Sequence, residues 1–577
     1  MSTLLEQASL VMIPSGYKED VVYSVIPESG AGDLSFTRAS DGTRINSAGL
    51  VENMPYNLLQ YSQTITNGVW QTQNTTKSLE AGTTPLNTPI YKVLATGGFA
   101  QFYETNILTV GVVYSDTVLV KKGNCRYIHF RHGNFSYYDF DTNTFSGSNA
   151  SIMTASDLTN GWILIKTSGY ASTFANFSIY QSNNTNPYGG ANGDFTYVSF
   201  CQINLGNTAK QYFATTNRQD VPQLDWEGST CPYLNMDNAT TNLIKYSDDF
   251  TNVIWLKSAG TATANTTIAP DGTTTADTFI ENTTNAVHTL YQSFNCTTNT
   301  QYTFSGYVKA NGRNIVRFEC QATSVLYQVE FNLATGTTSN ISGTGTAVIT
   351  SIGNGWFRCS ATITSTATGT GYWQLDLCSS AGVISYLGNG TSGIYLWGAQ
   401  LEQRNIVTSY VPTGAATATR TAQTLSVNNL QTNNILSSNF TLYSEFIDYK
   451  WSNNSGIHIF GVGNATATDW LSIYRNFSSL LKISKKESNV VTDTNNLLVQ
   501  VAAGNTIKVA IRCNAGTVRI YINGQIAYNT TFANPGLMTN SRFFQLDAGN
   551  LNSAKVKSIL LYNTALTDTE CVQLTSI

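Results

Sequence analysis

Asn242-Leu-Ile-Lys-Tyr-Ser-Asp-Asp-Phe-Thr-Asn-Val-Ile-Trp255 repeats Asn57-Leu-Leu-Gln-Tyr-Ser-Gln-Thr-Ile-Thr-Asn-Gly-Val-Trp70 without a gap, and half of the positions are identical. The correspondence continues downstream. Tyr114 to Lys121 matches Tyr302 to Lys309, Arg126-Tyr-Ile-His-Phe130 matches Asn314-Ile-Val-Arg-Phe318, Asn160-Gly-Trp162 matches Asn354-Gly-Trp356, and Tyr197 to Ile203 matches Tyr395 to Leu401. Repetition on this scale marks two copies of one domain, at residues 56–217 and 242–413. Each copy reads as strands. In Gln301-Tyr-Thr-Phe-Ser-Gly-Tyr-Val308, alternation puts Tyr302, Phe304, Gly306 and Val308 on one face. Trp356 to Ile363 alternates in the same way, and glycine-rich clusters such as Ser342-Gly-Thr-Gly345 supply the turns. Many short strands at regular spacing predict an all-β fold of tandem jelly-roll or β-sandwich domains. Trp70 and Trp255 are expected in the core, sealing the first strand, with sugar platforms as the alternative.

From residue 431 to 577 the patterning changes but remains that of strands. Phe440 to Phe446 and Gly456 to Val462 alternate cleanly. Val518 to Ile526 contains Asn523-Gly524, a two-residue hairpin turn whose central positions both need positive φ. Lys555 to Tyr562 reads as a buried final strand, and Ala565 to Glu570 as a closing turn of helix. A third sandwich is expected here. Residues 1–55 are too few for a core of their own, so this segment must pack on its neighbours, another subunit or a particle surface. Residues 218–241 connect the two copies, and 414–430 link the second copy to the last sandwich.

Composition excludes several functions. The 577 residues exceed the roughly 250–300 that one core supports. Apolar residues make up 41%, whereas charged residues make up only 11%, less than half the usual share of about 25%. Thr, Asn, Ser and Gly carry the polarity, which gives a neutral surface suited to sugars and proteins. The formal charge of −4 and the lack of a Lys/Arg cluster argue against nucleic acid. Leu10 to Ile13, the longest early apolar run, is too short to span a bilayer or to serve as a secretory core. Synthesis in a cytoplasm without conventional export is therefore expected. The nine cysteines include no C-x-x-C pair, and buried free thiols are expected.

Chemistry is sparse. His129-x-x-His132 lies on a strand and loop, where positions three apart face oppositely, so no metal site is expected. A retaining glycosidase needs carboxylates about 5–5.5 Å apart. Asp139 with Asp141, Asp225 with Glu227, and Asp568 with Glu570 have suitable spacing but lie outside a plausible strand face of the last sandwich. Glu445 and Asp448 face oppositely. No catalytic residue and no cofactor is expected. Sugar binding needs an exposed aromatic flanked by amides or carboxylates. The candidates are Trp470 and Tyr474, which share a strand face, with Asp469, and Trp373 with Asp376. The alternative is that these rings fill the core.

Several of these segments resemble a known family. Phe36-Thr-Arg-Ala-Ser-Asp-Gly-Thr-Arg44 through Glu52, followed by Pro55-Tyr-Asn-Leu-Leu59, resembles the N-terminal module of many bacteriophage structural proteins. Leu224-Asp-Trp-Glu-Gly-Ser-Thr-Cys-Pro232 with Thr241 to Ser247 resembles their connector. Asn354 to Cys359, and Trp397-Gly-Ala-Gln-Leu-Glu402 with Thr408-Ser-Tyr-Val-Pro-Thr413, resemble their carbohydrate-binding-module-like jelly roll. The last section is similar to a laminin-G or concanavalin-A-like sandwich. The low-charge, Asn/Thr-rich character resembles that of crAss-like phages. The resemblance implies a virion structural protein on the particle exterior: a head or tail fibre or a capsid decoration subunit. It implies attachment to other virion proteins through residues 1–55, a homotrimer, and weak adhesion to host or mucosal glycans. The first copy has Ser199-Phe-Cys-Gln-Ile203 where the second has Trp397 to Leu401, so a shared family site is not expected there. The alternative function is a virion-borne polysaccharide depolymerase.

Overall fold

The computed structural model describes residues 2–576 other than 55–56, 132–134, 207, 227–230, 450–456, 465, 467, 476–479, 494–496, 503, 534 and 544–552. The fold is all-β, with short helices at Ser2–Gln7 and Asp568–Thr575. Contacts divide the chain into two compact units, residues 53–219 with 271–273, and residues 1–52, 220–270 and 274–577.

The duplication is repeated strand for strand. In the first copy one sheet runs in the order Thr144–Gly147, Phe135–Asp139, Tyr127–Arg131, Phe177–Ser182, Gln101–Glu104, Gln71–Gln73. The second copy has Thr337–Ser342, Val325–Asn332, Ile315–Ala322, Gly369–Cys378, Thr289–Cys296, Leu256–Ser258 in the same places. The opposing sheets, each of six strands, agree likewise. Alternation fixes which side is core. Tyr302, Phe304 and Val308 are buried between the sheets, and Gly306 leaves room for Trp373, whose ring would lie 3.2 Å from an added Cβ.

The identical residues of the two copies are seams. Asn242 Nδ2 donates to the carbonyls of Ala399 (3.0 Å) and Val411 (2.9 Å), and its Oδ1 accepts from the amides of Ile244 (3.1 Å) and Leu401 (3.0 Å). Asn57 repeats this, donating to Phe213 at 2.8 Å and accepting from Leu59 and Ile203. Ser62 and Ser247 bond the hydroxyls of Tyr212 (2.9 Å) and Tyr410 (2.6 Å). Trp70 and Trp255 are buried, and their Nε1 groups donate to the carbonyls of Gln60 and Tyr246. Each buried amide therefore ties the first segment of its copy to the returning last one.

The last sandwich is completed by distant parts of the chain. Leu10–Met12 and Tyr233–Met236 pair with Ser553–Tyr562, and Leu34–Thr37 pairs with Thr424–Val427. Leu10, Met12, Leu34, Phe36, Leu234 and Met236 enter its core. The segment of residues 1–55 thus packs on its own chain. The Asn523-Gly524 turn joins Thr517–Ile522 to Gln525–Thr531 with φ of 47° and 82°. The closing helix starts one turn later than the sequence suggests, because Thr567 and Glu570 form a capping box. All cysteines but Cys231 are buried.

A polar joint holds these parts. Arg420 is wholly buried; it donates to Ser409 O (2.9 Å) and Thr408 Oγ1 (3.1 Å) and pairs with Asp237 at 3.3 Å. Glu402 accepts from Thr240 Oγ1 and the Thr408 amide. Gln223 donates to Thr43 O at 2.7 Å and accepts from Gln423 at 2.6 Å.

Replacing Asn242 by Leu removes both donors and the acceptor of its seam and strands buried carbonyls and amides. The expected loss is roughly 3 kcal/mol, read as a lower urea midpoint. The same change at Asn57 should destabilise the first copy instead.

Candidate functional site

Three sheet faces present polar and aromatic side chains outward. The first lies on the first copy. Along Tyr127–Arg131, Phe135–Asp139 and Phe177–Ser182, the residues Ile128, Phe130, Tyr138, Phe177 and Ile179 point into the core, so their neighbours point out. His129 stands opposite both Tyr137 and Tyr180, and Arg131 stands opposite Phe135. The rings form two groups, Tyr127, His129 and Tyr137 in one and Phe99, Phe135, Tyr180 and Tyr188 in the other. Tyr127 meets Tyr137 edge-on at 5.2 Å, Phe135 meets Tyr180 at 5.0 Å, and Phe99 stacks on Tyr188 at 4.6 Å with planes 8° apart. Tyr188 is 45% exposed, and Phe99, Phe135 and Tyr137 are half-buried. Arg131 lies over Phe174 at 3.7 Å, and Arg126 grips Asp139 at 2.8 Å. His129 is buried against Ser182 Oγ (2.9 Å), and burial holds its imidazole down at about 4, so it is neutral. His132 lies outside the described residues.

This face was missed by reasoning from residue types. The signal was present as the spacing Tyr127-x-His129-x-Arg131 and Phe135-x-Tyr137-x-Asp139, each interleaved with core residues.

The second copy carries a different chemistry on the equivalent face. Tyr291 and Tyr372 lie 6.2 Å apart and are half-buried. Gln374 Nε2 donates to Asp376 Oδ1 (2.8 Å) and Glu319 Oε2 (3.3 Å), and Arg317 pairs with Glu330 at 2.6 Å. Burial, helped by the charge of Glu319, pushes the Asp376 carboxyl up to about 7. Trp373 is not on this face. It is sealed in the core with Trp255 at 5.5 Å and Phe318 at 5.3 Å, so it offers no ring to a ligand. The outward aromatic beside Asp376 is Tyr372.

On the last sandwich, Trp470 and Tyr474 do share the outer face of Trp470–Arg475, while Leu471 and Ile473 fill the core. Trp470 Nε1 donates to Ser484 Oγ at 3.2 Å, and the Lys486 ammonium sits 4.4 Å from its ring centre. Lys482 stands opposite Tyr474. Asp469 is buried and accepts from the Ser488 amide (2.9 Å) and Asn464 Nδ2 (3.0 Å), so it fixes the adjoining turns. Among the described residues no three His, Cys, Asp or Glu side chains converge as metal ligands.

No family model and no curated protein matches the chain. It is similar to solved structures over limited parts of its length. The IT-sialidase CBM40 of Ruminococcus gnavus bound to α2,3-sialyllactose is 13% identical, with a TM-score of 0.22 over 25% of this chain and 86% of that one. Domain 4 of AbnA, a GH43 extracellular arabinanase from Geobacillus stearothermophilus in complex with arabinotriose, is 13% identical, with a TM-score of 0.22 over 30% and 82%. The galectin LEC-6 of Caenorhabditis elegans is 13% identical, with a TM-score of 0.18 over 22% and 84%.

The raised Asp376 carboxyl sets a pH dependence. A folded-state value of about 7, against an ordinary 3.8, means that the folded chain holds a proton the unfolded chain has released. Stability from this group is therefore full below about pH 4 and is lost as pH rises to about 7. Asp376→Asn should match the wild type near pH 4 and exceed it by roughly 1–3 kcal/mol above pH 7, measured as the difference in urea midpoint across that range.

Proposed function

We propose that this chain is a structural subunit of a phage particle exterior, a head or tail fibre or a decoration protein, that adheres weakly to glycans and catalyses nothing. The observation that carries the adhesive part is the set of outward aromatic rings of the first copy, Phe99, Phe135, Tyr137 and Tyr188, with Arg126, Arg131 and Asp139 beside it. Aromatic planes cover the apolar faces of sugar rings, and the flanking charged groups take hydroxyls. The second copy adds Tyr291 and Tyr372 among amides, and the last sandwich adds Trp470 and Tyr474. Several weak faces on one chain, multiplied by a trimeric assembly, reach useful avidity without one tight site.

The virion setting rests on the motif resemblance. Residues 1–55 leave Leu5, Ile13, Tyr23 and Val25 between 36% and 46% exposed, which supports their use in docking to other virion proteins. Synthesis in the host cytoplasm and release with the particle fit this role.

One observation speaks to the second reading, a depolymerase. Glu319 and Asp376 are a carboxylate pair, of which Asp376 is raised to about 7, beside two tyrosines. Gln374 Nε2 bonds both of them, however, and so fills the space where a glycosidic oxygen would have to enter. Release of reducing ends from host capsule, lost in Asp376→Asn, would favour this reading over adhesion alone.

Affinity electrophoresis of the full chain in gels containing gastric mucin tests adhesion. Tyr137→Ala and Tyr188→Ala are each expected to weaken retention about 3- to 10-fold, the cost of one aromatic contact. Retention unchanged in both variants would remove the face from the proposal.

A further inference from the structure

The outward face of the second copy is built of rows that run across the strands. Facing residues on neighbouring strands place Leu256, Tyr291, Gln374, Glu319, Gln328 and Ser342 side by side, one from each strand of the six-stranded sheet. The next row along the strands is Ser293, Tyr372, Gln321 and Leu326. Both rows are turned away from the core, which takes Leu290, Phe318, Cys320, Tyr327 and Leu375 from the same strands. At about 4.8 Å between strands, the longer row measures roughly 24 Å from end to end.

The polar side chains of these rows are held in place, and they still reach solvent. Glu319 accepts from Gln328 Nε2 at 2.5 Å and from Gln374 Nε2 at 3.3 Å, while Gln328 Oε1 accepts from Ser342 Oγ at 2.7 Å. Gln374 gives its other N–H to Asp376 at 2.8 Å, so its Oε1 remains as an acceptor. Gln328 keeps one N–H. Gln321, which donates to Thr323 O at 2.7 Å, keeps one N–H and its Oε1. The hydroxyls of Tyr291 and Tyr372 make no hydrogen bond among the described residues. Tyr291, Tyr372, Gln321, Gln328 and Gln374 are half-buried, and Ser293 and Ser342 are exposed, so a molecule lying on the sheet touches these groups directly.

The charges of the face select against an anion. Its cation, Arg317, is buried and pairs with Glu330 at 2.6 Å, so it offers nothing to a carboxylate or a sulfate. Amides and hydroxyls alternate along the rows instead, and they match the hydroxyls and ring oxygens of sugars. The two tyrosine rings, 6.2 Å apart, offer apolar surface for sugar faces. We propose that the second copy binds one neutral, linear glycan chain laid across its strands, with Tyr291 and Tyr372 beneath the sugars and Gln374, Gln328 and Gln321 bonding their hydroxyls. This rests on the adhesive reading given above and names its ligand. A track of roughly 24 Å takes about four or five linked pyranoses. Glu319 is a positioning residue, which holds two of the amides. The first copy has Arg131, Phe135 and Ser178 at the places of Glu319, Gln328 and Gln374, so the track belongs to the second copy alone.

The test is affinity electrophoresis of the full chain in gels containing hydroxyethylcellulose, arabinoxylan, galactomannan or pullulan, beside gels containing polygalacturonate, chondroitin sulfate or gastric mucin. At least one neutral polymer should retard the chain, and the two acidic polysaccharides should not. Tyr291→Ala and Tyr372→Ala should each weaken that retention about 3- to 10-fold. Ser293→Arg, a change at an exposed position opposite Tyr372, should obstruct the track as much without disturbing the core. Tyr137→Ala, on the first copy, should leave it intact. Calorimetry with oligomers of the retarding polymer should show affinity rising from the dimer to about the pentamer and then levelling. Retention in mucin but in no neutral polymer would overturn the track and spare the adhesive reading, whereas retention in none of the gels would overturn both. Equal retention in the acidic polysaccharides, full retention of the two alanine variants, or affinity already complete at the dimer would each overturn the proposal.

Discussion

The larger unit depends on a buried cation. Arg420 has no access to solvent, and it is closed upon by the connector through Asp237, by the second copy through Thr408 and Ser409, and by its own linker. Arg38, from the N-terminal segment, is equally buried beside it; an added Cβ at Gly42 would lie 3.4 Å from one guanidinium carbon and 3.5 Å from the Cδ of the other. Burial together with the neighbouring Arg420 pulls Arg38 down to about 10, and burial likewise lowers Arg404 to about 9. Desolvating such groups costs several kcal/mol each, and the cost is met only when the surrounding carboxylates and carbonyls are all in place. The same unit holds Leu10–Met12 and Leu34–Thr37 against the sheets they complete. The motif residues around Arg38, Glu402 and Thr408 are thus accounted for as structure, since each is a member of this joint.

The duplicated domains separate what holds the fold from what faces outward. Asn57 and Asn242, Ser62 and Ser247, Trp70 and Trp255 recur because each satisfies buried backbone groups at a seam, and no other side chain of that size offers the same donors and acceptors. The outer faces share almost nothing. Where the first copy has His129 facing Tyr137 and Tyr180, the second has Arg317 facing Glu330 and Asp376 at the matching positions. Glu104 and Gln292 show the same freedom at a seam: both accept from a backbone amide, Gln60 and Lys245 respectively, but only the carboxylate is pushed up to about 7 by burial. Sequence identity between the copies therefore tracks the packing, and divergence tracks the surfaces with different partners.

Much of this was legible in the sequence. The gapless repeat foretold twin sandwiches, and alternation in Gln301 to Val308 assigned the core face correctly. Asn523-Gly524 marked a turn because few residues other than Gly and Asn tolerate its backbone. Phase also could have corrected the choice of Trp373 with Asp376. Three residues apart on a strand, they must face oppositely. The contribution of residues 1–55 to the last sandwich was not legible. Leu10–Met12, Tyr17–Lys18 and Val21–Val22 are too short to carry a period, and their partners lie at the other end of the chain. A cleft lined by Arg358 was hidden for the same reason, since five separate stretches of chain line it.

The scarcity of charge gains a meaning from where the charges sit. Only 11% of residues are ionisable Asp, Glu, Lys or Arg, and many of these are interior: Arg38, Arg317, Arg404, Arg420, Asp237, Glu281, Glu330, Asp376 and Glu402 are all buried. A chain of this composition directs its few charges into joints, where low dielectric makes them strong and specific. The exterior is rich in hydroxyls, amides and tyrosines and carries its remaining charges sparsely, so its long-range field is weak. Such a surface cannot steer a partner from a distance, and it holds only what it touches. That is the physics of an adhesive surface working at contact and by number.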